Sequence, residues 1–154
     1  MPFAPTYRLI HASHIAPVCL DDLKAGLTDI VTRSIVNNRA RGVTGLLIAH
    51  KGWFVQALEG PRAAVEGLFA TIAADPRHHH ALPLSQGEVD ARLFEPWSMC
   101  ARVLAGTDEA VLSALNPKAP FDPTKAPERT LMRLLSTVAD VHWRTLSEQQ
   151  SLAA

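Results

Sequence analysis

Cysteine, tyrosine and long apolar runs are all scarce in this sequence, and each scarcity closes off a class of protein. Two cysteines, Cys19 and Cys100, stand far apart in a chain of 154 residues, and the expectation is a pair of reduced thiols rather than a disulfide scaffold. No leading segment has the apolar character of a secretory signal. The longest apolar stretches break within about eight residues, short of the roughly 20 that a membrane helix requires. These features predict a cytoplasmic chain with no membrane partner. Charge of one sign is missing too: Lys+Arg 15 balance Asp+Glu 15, which removes the overall electrostatic footprint of a nucleic-acid binder. Tyrosine occurs once, as Tyr7. There is no internal repeat.

What remains is enough for one domain and a tail, because a single core of this length buries sufficient apolar surface to fold. YRLIHAS (7–13) reads as a first strand, broken soon after by Pro17. From Leu20, apolar residues recur at Leu23, Leu27, Ile30, Val31 and Ile35 and are followed by Gly42, which predicts a helix from about 20 to 40. VTGLLIAH (43–50) and WFVQALEG (53–60) flank Lys51-Gly52 as a β-hairpin at the centre of a sheet. Pro61 then suits the first turn of a second helix, with Val65, Leu68, Phe69 and Ile72 as its apolar stripe and Asp75-Pro76 as its stop. Two further strands are expected near 81–90 and 94–104. The order β-α-β-β-α-β-β predicts an α+β sandwich with both helices on one face of a mixed sheet. A helical extension over 106–154 follows, with helices near 108–115 and from Pro127 to about 149, as candidate cover for the other face. NPKAPFDPTKAP, between those helices, reads as an extended connector.

Polar residues inside apolar elements are the candidates for chemistry, since burying them costs free energy unless they are hydrogen-bonded. Gln56 lies mid-strand, and Asn37-Asn38 close the first helix. An amide with a carbonyl acceptor and two donors can read the polar edge of a planar heterocycle; position alone favours instead the solvent face of its strand or a hydrogen bond to backbone. Four motifs, SIVNNRARGVTGLL (34–47), WFVQALEGP (53–61), DPRH (75–78) and FEPWSM (94–99), together resemble the BLUF family of blue-light sensors in order and spacing. The resemblance covers residues 7 to 104.

It implies a ferredoxin-like fold for residues 1–105, with FAD held between the two helices. It puts Asn38 and Gln56 at the flavin's carbonyl and nitrogen edge, with Asn37 beside them. Asp75, Arg77 and His78 fall near the outer edge of the ring and the ribityl chain, and Ser34 lies one turn before Asn38. Trp97 and Met99 match the residues that carry the signal onward, although as sequence they also read as alternate core positions, and Asp75 as a plain helix end. The phosphates of FAD would be met by side chains such as Arg33 or Arg77.

At one position the sequence departs from the family. The tyrosine that the family places ahead of the Xaa-Ser pair is here His11, and Tyr7 lies some 13 Å away along the strand at about 3.3 Å per residue. A neutral imidazole both donates and accepts, so hydrogen bonding to Gln56 is compatible with it. Imidazole is a much poorer one-electron donor than phenol, which predicts an altered or impaired photocycle and leaves Trp97 as the internal donor. A metal site is the obvious rival, built on His78, His79 and His80 with His11, His14 and Cys100. Consecutive histidines in an extended segment face opposite sides, however, and no zinc-type spacing occurs. A second rival is a ferredoxin-like scaffold acting by protein contacts alone. An enzyme lacks support: there is no nucleophile–base arrangement and no Gly-rich phosphate loop. The size resembles that of short family members, which implies a homodimer or higher homo-oligomer signalling to a separate protein partner.

Overall fold

Alternation and helical spacing become a five-stranded sheet with helices on it. The computed structural model describes residues 5–17, 22–94, 100–103 and 122–153. Along the chain run β1 (Thr6–Ile15), α1 (Leu23–Arg41), β2 (Thr44–His50), β3 (Trp53–Gly60), α2 (Arg62–Ala74), β4 (His78–Val89), β5 (Cys100–Val103), a 3₁₀ turn (Pro123–Lys125) and α3 (Glu128–Ala153). The sheet order is β4-β1-β3-β2-β5. Its first three pairings are antiparallel and β2–β5 is parallel. This is the α+β, ferredoxin-like β-α-β-β-α-β-β arrangement that the sequence predicts. The chain divides into two compact units, residues 1–103 and 104–154.

Local chemistry sets the boundaries. α1 begins at Leu23 rather than near 20 because the Asp22 carboxylate accepts from Ala25 N at 3.2 Å and caps the first turn. It ends at Gly42, whose φ of 70° closes the helix in the left-handed region. Lys51 and Gly52, at φ 47° and 84°, give the β2–β3 hairpin the twist that flanking strands demand. β4 starts at His78, three residues earlier than the apolar pattern suggests. Asp75 folds the chain back by accepting from Arg77 N at 2.9 Å, and His78 and His79 then pair with Ile15 and His14. Within the Pro-rich connector, Asp122 accepts from Thr124 N and Oγ1 and holds one 3₁₀ turn in place of a fully extended run. The expected helix at 108–115 lies outside the described residues, as does most of the strand expected from 94.

One sheet face carries Tyr7, Leu9, Ile15, Leu47, Ala49, Phe54 and Leu58, which cluster with Leu27 and Ile30 of α1 and Val65 and Leu68 of α2. Each such aliphatic side chain contributes about 1.5–3 kcal/mol on full burial. Both helices therefore lie on this face. The opposite face, with Ile10, Ala12, Leu46, Ile48, Val55 and Ala57, is buried as well. In the second unit, α3 has its buried positions Leu131, Leu134, Leu135 and Val138 on one stripe.

Candidate functional site

The helix-facing side of the sheet is apolar except for a short polar row. Every second residue of β1 points there, and after Tyr7 and Leu9 the next two are His11 and Ser13, both at 0 % exposure. Gln56 stands directly across from His11 in the β1–β3 register. His78 enters from the start of β4, and Asn38 lies on the α1 stripe that continues Leu27, Val31 and Ser34; Gln56, His78 and Asn38 are all buried. Five buried polar side chains in one layer require partners, because each unsatisfied group costs free energy.

His11 Nε2 lies 2.7 Å from Gln56 Oε1. Burial pushes His11 down to about 3, against the opposing bond from Gln56 and with a further push from His78, so the imidazole is neutral. With a carbonyl oxygen as partner, the ring hydrogen sits on Nε2 and is donated to Gln56. His11 Nδ1 is then a bare acceptor, buried and without a hydrogen-bond partner among the described residues. The ring packs against Phe69 of α2, centroid to centroid 5.2 Å, with His78 at 6.1 Å.

His78 forms the second pair, its Nδ1 2.8 Å from Ser13 Oγ. Its pKa falls to about 4 through burial, Asp75 opposing and Arg77 adding to the shift. Its ring lies 4.7 Å from that of Phe54.

The remaining candidates divide by exposure. Ser34 is half-buried, whereas Asn37 and Arg33 are exposed on α1. Arg77 forms ion pairs with Asp75 at 2.6 Å and with Asp29 of α1 at 2.7 Å, and Arg33 also reaches Asp29, at 3.2 Å. Both basic candidates therefore share one carboxylate, and Arg77 links the α2–β4 turn to α1. Trp97 and Met99 lie outside the described residues. Tyr7 donates to Gln86 Oε1 at 3.0 Å beneath the Arg62 guanidinium and does not bond Gln56. Among the described residues, no group of three metal-ligating side chains is assembled, and no helix is long and apolar enough to cross a membrane.

Two buried polar residues, one in this layer and one behind it, are not among the sequence candidates. Ser13 was visible as the inward residue two after His11, but its bond to His78 depends on the β1–β4 register. Glu59, fully buried on the opposite sheet face, is signalled only by a charge inside an apolar strand.

Comparison with known proteins gives the family of this fold. Residues 6–100 match the family model described as sensors of blue-light using FAD. The photoactivated adenylate cyclase subunit beta of Euglena gracilis is 34% identical over 73 residues, 47% of this chain and 8% of that protein. The blue light- and temperature-regulated antirepressor BluF of Escherichia coli K12 is 33% identical over 86 residues, 56% of this chain and 21% of the relative. This chain thus spans only a small part of either. Among solved structures, the dark state of the BLUF protein BlrB superposes with a TM-score of 0.73 at 33% identity, covering 90% of this chain and 98% of that one. BlsA in its photo-activated state gives 0.78 at 28% identity, covering 87% and 94%. With the family model matched over residues 6–100, and with a solved member superposing over 90% of this chain at 33% identity, the chain belongs to the BLUF family.

Proposed function

We propose that this chain is a flavin-binding blue-light sensor domain that holds FAD between α1 and α2, passes its signal to a separate protein, and has an altered photocycle because His11 stands at the tyrosine position. The observation that carries this reading is the buried 2.7 Å bond between His11 Nε2 and Gln56 Oε1. It fixes the glutamine with its carbonyl toward His11. The layer fits a flavin chemically. The bare Nδ1 of His11 is a polar demand that an apolar core would not meet and that a donor on a polar-edged heterocycle would.

In this reading Asn38 and Gln56 hold the polar edge of the ring system, and Ser34, Asn37 and His78 lie along its margin. Asp75 orients Arg77, which with Arg33 faces the phosphate end. When bound, the flavin supplies blue-light absorption and electron acceptance. His11 contributes a neutral ring that donates one hydrogen bond, without the readily oxidised phenol. Trp97 and Met99 are proposed to carry the response onward, with a homo-oligomer as the signalling form.

The test is the visible spectrum of the purified protein, dark and under blue light. Bound oxidised flavin, identified as FAD by mass after release, with a weak, absent or reshaped red shift is expected. A full reversible shift of the family's usual kind refutes the altered photocycle. Colourless protein that takes up no flavin supports the scaffold reading instead.

A further inference from the structure

We infer that Glu59 is a positioning residue that ties the state of the flavin layer to the turn at residues 91–94, just ahead of the segment that leads into β5. This rests on the flavin reading above and assigns a role to residues that reading does not use.

The placement follows from strand register. His11 pairs with Gln56 on the inner face, and in the same β1–β3 ladder, three positions away, Arg8 pairs with Glu59 on the outer face. At about 3.3 Å per residue the two pairs are some 10 Å apart on one rigid ladder. Glu59 is at 0 % exposure. Its Oε2 accepts from Arg8 Nε at 2.8 Å, and its carboxylate takes the backbone N–H of Leu93 at 2.9 Å and of Phe94 at 2.8 Å. A buried carboxylate with a cation and backbone donors is held strongly and is costly to leave partly satisfied.

The same turn is tied to the other side of the site. Arg92 donates to Gly42 O at 2.8 Å and to Thr44 Oγ1 at 3.2 Å, and Gly42 is the cap of α1, four residues after Asn38. Arg8 also reaches Ala91 O at 3.2 Å. Residues 91–94 are thus bonded both to the strand ladder that carries His11 and Gln56 and to the end of the helix that carries Asn38. A ligand that changes how β3 and the α1 cap sit against each other must change the strain on this turn, and Glu59 is its main attachment. By linkage, the turn and the flavin layer bias each other equally.

The experiment is amide hydrogen exchange on the full chain, stripped of flavin and reloaded with FAD, for the wild type and Glu59→Gln. In the wild type, FAD is expected to slow exchange at Leu93 and Phe94 by at least about fivefold. In Glu59→Gln that effect is expected to vanish at the turn while the β1–β3 amides still respond to FAD, a separation that a merely structural role would not produce. If Glu59→Gln does not fold, Arg92→Gln, at a half-buried position, removes the bonds to Gly42 O, Thr44 Oγ1 and the Glu59 carbonyl while leaving the Glu59 carboxylate in place, and is expected to weaken the FAD effect at 92–94 without altering that on β1–β3. FAD that protects β1–β3 but leaves Leu93 and Phe94 unchanged in the wild type, or an undiminished effect in both variants, overturns the inference while the flavin reading stands. A chain in which FAD alters no amide and binds nowhere overturns both.

Discussion

His11 concentrates the chemistry of this chain because burial, neutrality and a short bond to Gln56 coincide on one ring. A phenol offers one oxygen that both donates and accepts; the imidazole splits those roles between two nitrogens and gives up the easy loss of an electron. His11→Tyr is therefore expected to produce, or strengthen several-fold, a reversible light-induced red shift in flavin-loaded protein, read by light-minus-dark absorption. An unchanged response would move the cause elsewhere in the site. The two buried histidines also make a pH prediction. His11 and His78 have folded values of about 3 and about 4, below the ordinary 6.5, so the unfolded chain binds protons that the folded chain refuses. Their stability contribution is complete above pH 6.5 and is lost as pH falls from there through about 4 and then about 3. The slope is about 1.4 kcal/mol per pH unit for each histidine. Urea denaturation between pH 7 and pH 5 should show the loss, and His78→Asn should remove about half of the slope. A flat profile would mean that neither ring is sealed from solvent.

At the scale of elements, much of the fold is legible in the sequence because helix period, strand alternation and the Lys51-Gly52 turn are local signals. What is not legible depends on pairing. The start of β4 is hidden because His78, His79 and His80 carry no apolar pattern, and only the pairing of His78 with Ile15 and of His79 with His14 recruits this segment. The site follows the same division. Gln56, Asn38 and His11 are recoverable from motif resemblance. The Ser13–His78 bond, the shared use of Asp29 by Arg33 and Arg77, and the seat of Glu59 arise from register and from helix placement across the sheet, which no single stretch of residues encodes. Two glycines illustrate the contrast. A Cβ at Gly60 would lie 2.8 Å from Gly42 O and 3.2 Å from Val43 Cα, pressing the end of β3 into the α1–β2 junction, whereas a Cβ at Gly67 in α2 meets nothing within 4 Å. Gly60→Ala is expected to cost about 1–3 kcal/mol, and Gly67→Ala to stabilise by roughly 0.5–1 kcal/mol through helix propensity. Paired urea midpoints check both, and equal effects would show that the close approach at Gly60 does not constrain the fold.

For the whole molecule the question is where a signal goes. The matched segment is 8% of the cyclase subunit and 21% of the antirepressor, so what this chain shares with each of those relatives is a small part of it. In this chain the proposed output passes through a surface, and a paired surface is the simplest symmetric way to present it. Zero formal net charge, from 15 basic and 15 acidic residues, adds no long-range repulsion between copies. The 16.7 kDa chain is therefore expected to form a homodimer. Light scattering at micromolar concentration should give about twice the chain mass, the value for a two-fold closed pair, and should do so with flavin bound. A mass that stays at one chain across a hundredfold rise in concentration would exclude the dimer and leave a single sensor surface to meet its partner directly.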